Sequence, residues 1–176
     1  MKSLLKIFMF AIFLIFSSNA ALAKDMYPLT LEGGNLILVD GGMGVGRYAD
    51  KTSVDVAEYA PPFYQLLINV ISVSFSDEYF KQNGNYIGSP YNMIGTNTMK
   101  FRYNWDTKTV FTKNEKGVWK NWDINHNYSH AEGNPLIPNA AEVAFYSAYR
   151  LKFFGNMRNS EGYYVVSDNL YSALGN

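Results

Sequence analysis

His126 and His130 stand four residues apart, with Glu132 two further on. On a helix, two imidazoles at that interval share one face and can hold a zinc ion. The segment that carries them runs Ile124-Asn125-His126-Asn127-Tyr128-Ser129-His130-Ala131-Glu132-Gly133-Asn134-Pro135 and has the composition of a loop. Its glutamate is also not placed as a zinc hydrolase places its general base. The expectation is therefore two loop histidines and no metal, with a metal-dependent hydrolase using His126 and His130 as the minor alternative. Asp40-Gly41-Gly42-Met43-Gly44-Val45-Gly46 follows an apolar strand pattern, and glycine runs of this kind let backbone amides approach a pyrophosphate. The dinucleotide fingerprint fails because Arg47 stands where its third glycine belongs, and no Gly-Lys-Ser/Thr completes a P-loop. A flexible turn that lets Arg47-Tyr48 cross close to another backbone is the expected role, since glycine lacks Cβ.

Nucleophilic catalysis finds no more support. Serines are plentiful, but the mature chain contains neither a Gly-x-Ser-x-Gly elbow nor a Ser-x-x-Lys pair, and no acid/base carboxylate pair stands out by spacing. With no cysteine anywhere, disulfides, thiolate metal sites and thiol nucleophiles are excluded. The expectation is a chain without catalytic residues or cofactor.

The aromatic residues are more telling. The 176 residues include 14 Tyr, 12 Phe and 3 Trp, and only Phe8, Phe10, Phe13 and Phe16 fall in the N-terminal leader described below. Tyrosine offers a large rigid face with a polar tip at small entropic cost, which suits recognition. Tyr79, Tyr86 and Tyr91 lie among Asn, Gly and Ser in the stretch 76–97, a composition suited to a contact loop. Phe145 and Tyr149 join them as candidates from the helix described next.

These groups need a scaffold. Lys2 and Lys6, the apolar run Ile7 to Phe16 and the triplet Ala21-Leu22-Ala23 read as a secretory signal peptide over residues 1–23, too short to span a bilayer. Residues 24–176 then form a single exported domain with 13 basic against 15 acidic residues, without the positive footprint of a nucleic-acid binder. Leu36 to Val39, Ser53 to Tyr59 and Phe63 to Phe75 read as strands, with Pro61-Pro62 interrupting pairing. Met99 to Trp105, Thr109 to Thr112 and Val118 to Ile124 make an antiparallel meander. A helix over roughly 140–154 is framed by Asn139 with Glu142 as a capping box and by Gly155. Its stripe Ala140, Val143, Ala144, Ser147, Ala148, Leu151 and Phe154 should lie on the sheet. Its other side, with Phe145, Tyr146, Tyr149 and Phe153 around Glu142, needs cover: from the tail, where 163–166 reads as a last strand and Leu170, Tyr171 and Leu174 fold back, or from a partner. The fold class is α+β: an antiparallel sheet of about five to six strands with one C-terminal helix packed on it.

Arg47-Tyr48-Ala49-Asp50-Lys51-Thr52-Ser53-Val54, Tyr59-Ala60-Pro61-Pro62-Phe63-Tyr64, Phe101-Arg102-Tyr103-Asn104-Trp105-Asp106 and Ala140 to Tyr146 through Lys152-Phe153-Phe154-Gly155 together resemble a group of small exported bacterial proteins that is itself similar to surface-adhesin E. The resemblance covers roughly residues 36–155. It implies a compact antiparallel sheet with a C-terminal helix, dimerisation, and binding to host proteins. This chain departs from the adhesin pattern by lacking cysteines and in the stretch 76–97, so no binding residue carries over. The expected function is an exported, non-catalytic, adhesin-like interaction module located in the periplasm, on the cell surface or outside the cell. Its partner would be a protein or host surface component, with no nucleic acid and no integral membrane segment. A periplasmic carrier for an apolar small molecule is the alternative from another class.

Overall fold

A computed structural model describes residues 27–76, 91–113, 116–125 and 135–175. Eight strands form one antiparallel sheet: β1 (Thr30–Leu31), β2 (Leu36–Gly42), β3 (Val45–Asp50), β4 (Asp55–Ala60), β5 (Phe63–Phe75), β6 (Tyr91–Asn104), β7 (Thr109–Lys113) and β8 (Trp119–Trp122). Two helices follow, α1 (Leu136–Tyr149) and α2 (Asp168–Leu174). The sheet runs β1-β2-β3-β5-β6-β7-β8, and β4 takes the remaining part of the β5 edge that β3 occupies. Between β3 and β4 a 3₁₀ turn, Lys51–Ser53, carries the chain past Asn69, and the Ser53 hydroxyl accepts that residue's N–H at 2.9 Å. At the break between β3 and β4 a side chain thus gives the Asn69 N–H the acceptor that a strand would have supplied.

β5 organises the rest. It is thirteen residues long, rich in Val, Ile and Leu, and pairs with β6 along its whole length. Alternate residues face opposite sides: Leu66, Ile68 and Val70 join Ile37, Val39, Phe101, Tyr103 and Val110 beneath the helices in the main core. Val73 and Phe75 emerge on the other side, where Leu36, Tyr48, Tyr27 and Tyr91 close a smaller core.

The observed architecture is α+β as expected, with more strands and a second helix. β3 escaped the sequence reading because Val45-Gly46-Arg47-Tyr48 was absorbed into the glycine-rich turn. The prolines do not stop pairing: β4 and β5 stay in register to Ala60↔Phe63, with Pro61-Pro62 as the hairpin turn, joined by a cis peptide bond. β6 begins at Tyr91, well inside the stretch expected to be a loop. Asn92, Gly95 and Asn97 are poor strand formers, but a full-length partner in β5 supplies the pairing, which overrides propensity. The register shift between Ser72 and Val73 accommodates Ile94.

The helix also differs from its expected frame. It starts at Leu136 and ends at Tyr149, with Arg150 in the left-handed region (φ 57°) as its cap. Asn139 is inside the helix and donates from Nδ2 to the Val39 carbonyl at 2.9 Å, so the capping box does not form. Leu151, expected on the stripe, lies past the helix and is exposed. The tail reaches the far side of α1 at Glu142, which Tyr171 hydrogen-bonds, and Val165, Val166, Leu170, Tyr171 and Leu174 are all buried in the main core, whereas Phe145 and Tyr149 pack against Tyr64 of β5 instead. Residues 163–166 supply only a single bridge, Arg158↔Tyr164, rather than a strand.

Candidate functional site

Four places in the described residues combine polar and aromatic groups. The first is the glycine-rich hairpin, where Met43 and Gly44 at φ 53° and 80° close a two-residue turn. The Gly44 amide donates to the Tyr27 hydroxyl, and the Tyr27 ring lies over Gly41, where a Cβ would come within 2.6 Å of it. At Gly46 a Cβ would meet the Tyr48 ring at 2.6 Å and Phe75 at 3.1 Å. The run exists to let three rings sit on the backbone, while Asp40 and Arg47 form an ion pair across the strands. The glycines thus admit aromatic rings, where a close crossing of Arg47-Tyr48 with another backbone was expected.

The second is Glu142, whose side chain is fully buried. Its Oε1 accepts from the Phe153 N–H and the Tyr171 hydroxyl and its Oε2 from the Phe154 N–H, each at 2.9 Å. Burial raises its pKa; these three hydrogen bonds and the Lys108 ammonium oppose that, without cancelling it. The carboxylate ties the segment after α1, and α2 with it, to the middle of α1. That is a fastening, with every oxygen engaged inside the chain.

The third is a rim of tyrosines. Tyr59 and Tyr64 face each other across the Pro61-Pro62 hairpin, ring centroids 5.6 Å apart, and Tyr149 from the last turn of α1 meets them at 5.7 and 5.3 Å. Phe145 packs behind at 5.3 Å from Tyr64 and 4.9 Å from Tyr149. Tyr59 is 65% exposed, so the cluster opens to solvent on its β4 side. The Tyr149 hydroxyl is buried and, among the described residues, has no hydrogen-bond partner. Burial first, then the neighbouring phenols, hold Tyr149 above the ordinary tyrosine pKa. A donor shut away without an acceptor costs about 1–3 kcal/mol, and a partner group reaching over Tyr59 would relieve that cost.

The fourth is the sheet face opposite the helices, beyond the small core. By register it presents Asp55 and Glu58 from β4, Gln65 and Leu67 from β5, Lys100 and Arg102 from β6, Phe111 and Lys113 from β7, and Trp119 from β8. The Arg102 guanidinium lies 4.3 Å over the Trp119 ring.

Of the residues singled out from sequence, Tyr79, Tyr86, His126, His130 and Glu132 lie outside the described residues. Tyr91 opens β6, half-buried, with its ring 6.2 Å from Phe75 and its hydroxyl donating to Glu32. That hydrogen bond first, then burial, raises its pKa. Phe145 is 1% exposed, stacked on Trp105 at 5.5 Å and 5.1 Å from Tyr103. It is therefore the centre of the aromatic core, with no face left for a partner, because β5, β6 and the residues after α1 supply the cover its apolar surroundings demanded. Tyr149 is the one helix candidate that reaches the surface. Tyr59 and Tyr64 were missed, although Tyr-Ala-Pro-Pro-Phe-Tyr read as a two-residue hairpin pairs them directly.

A shallow cleft of about 130 Å³ between Leu29, Val39, Asn139 and Leu170 is small beside the roughly 300–1,000 Å³ of ordinary ligand pockets. No helix among the described residues is long and apolar enough to cross a membrane. Comparison with protein-family models, with curated proteins and with solved structures finds no match to this chain.

Proposed function

We propose that this chain is an exported, non-catalytic interaction module, adhesin-like in its role, that engages a protein partner through Tyr59, Tyr64 and Tyr149. The observation that carries the reading is the unpartnered Tyr149 hydroxyl at the floor of an open tyrosine cluster. Rigid rings rooted in β4, β5 and α1 lose little entropy on binding, and tyrosine combines apolar area with a hydrogen-bonding tip. Export rests on the leader pattern of residues 1–23, and the adhesin-like role on the resemblance to surface-adhesin E.

Binding of the mature chain to immobilised host matrix proteins tests it, comparing wild type with Tyr59→Ser and Tyr149→Phe. The reading expects binding by the wild type and a clear loss in both variants with the fold intact by circular dichroism. Undiminished binding by both variants, or no binding by the wild type, removes it.

A further inference from the structure

We infer that the β6–β8 part of the open sheet face is a binding platform for an acidic polysaccharide, one that carries carboxylate or sulfate groups along an extended chain. Lys100 and Arg102 share one side of β6, and Lys113, paired with Trp119, brings a third cation from β7 to the same face. With strands about 4.8 Å apart and same-face residues about 6.8 Å apart along a strand, the three side chains leave the sheet within about 9 Å of one another. Among the described residues none of the three enters an ion pair. Like charges this close on one face repel, and an anion laid across them removes that cost.

Arg102 is fixed in place before any ligand arrives. Its guanidinium lies on Trp119, and its Nε donates to the Gln65 side chain at 2.9 Å. Lys113 holds its ammonium 5.8 Å from the same indole. A planar guanidinium anchored on an indole, its terminal nitrogens without a hydrogen-bond partner among the described residues, suits two-pronged contact to a carboxylate or sulfate.

The surroundings select the polymer. The cations lie side by side on a pleated surface rather than converging on one point, which suits anions spaced along a chain. Asp55 and Glu58 stand two strands away, in register with Lys100 through Leu67 and with Arg102 through Gln65, and they end the positive stripe at β5. A stripe this short does not track a nucleic-acid backbone, whose affinity depends on many phosphate contacts. Phe111, on the same face, offers an apolar surface for sugar rings. This platform is on the opposite side of the sheet from the tyrosine rim, so each can fail without the other.

The test is affinity of the mature chain for immobilised heparin and for hyaluronate, against ionic strength, with inorganic sulfate as competitor. The combined Arg102→Ala and Lys113→Ala variant is expected to bind at least about tenfold more weakly at low salt, with a shallower salt dependence by roughly two charges. Lys120→Ala, an exposed cation whose register with Thr112 puts it on the other side of β8, should leave binding within about twofold. Equal loss in Lys120→Ala, or no loss in the double variant, overturns the site. Inorganic sulfate competing as well as the polymer overturns the polysaccharide assignment. Light scattering that shows wild-type copies associating through this face, and the double variant monomeric, also overturns it.

Discussion

The Tyr171 hydroxyl donates to Oε1 of Glu142 at 2.9 Å, joining two buried residues 29 positions apart. The same oxygen accepts the Phe153 N–H, so one carboxylate holds both the exit from α1 and the start of the final turn of the tail. Tyr171→Phe should cost about 1.5–3 kcal/mol, the usual worth of a hydrogen bond to a charged group. Chemical denaturation of the two proteins at neutral pH checks it.

The pH dependence of stability has a definite sign. Burial leaves the folded Glu142 carboxyl with a pKa above its ordinary 4.5, so the folded chain holds this proton more tightly than the unfolded chain. Its contribution is fully present below pH 4.5 and is lost as pH rises through the raised folded value. Unfolding free energies measured from pH 4 upward should show this fall in the wild type and not in Glu142→Gln. Tyr171→Phe removes a donor that favours the charged form, and so should steepen it.

Gly46→Ala should destabilise by about 1–3 kcal/mol, because the new methyl group drives Tyr48 and Phe75 out of a packed position. Gly41→Ala should cost less. Its visitor, Tyr27, is only half-buried where Tyr48 is fully buried, so it has more room to yield, at the loss of its hydrogen bond to Gly44. Thermal melts of the two variants check the order; equal effects would mean that both rings are equally fixed.

Two tyrosines on the same side of the sheet should respond in opposite ways to loss of the hydroxyl. In Tyr103→Phe a buried hydrogen bond to the Ala141 carbonyl disappears, which should cost about 1 kcal/mol. In Tyr149→Phe an unpaired buried hydroxyl disappears, so stability should hold or rise. Paired unfolding curves decide whether the Tyr149 hydroxyl is in fact unsatisfied when the protein is alone.

Local pattern carried much of the fold. Phe63 to Phe75 reads as a strand because seven of its thirteen residues are β-branched or aromatic and neither Gly nor Pro interrupts them, and β5 has those very bounds. Pairing that depends on distant residues was hidden. The polar half of β6 is a strand only because β5 lies beside it, and the 3₁₀ turn Lys51–Ser53 is legible only once Asn69 is known to need an acceptor. The helix frame moved because Asn139 and Glu142 spend their side chains on Val39 and on the chain after α1, contacts no spacing rule reveals. For the same reason the candidate surfaces were only partly readable. Tyr149 was visible as an aromatic on an odd helix side, whereas its company of Tyr59 and Tyr64, and the stacking of Arg102 on Trp119, follow from strand register.

Protease shaving of intact native cells, with the fractions followed by antibody, tests the proposed role most directly. An exported interaction module predicts a chain beginning near Lys24 that is removed from the cell exterior or recovered from the medium. A chain that is protected from protease until the cells are opened would contradict the adhesin-like role, and one that still carries residues 1–23 would contradict export.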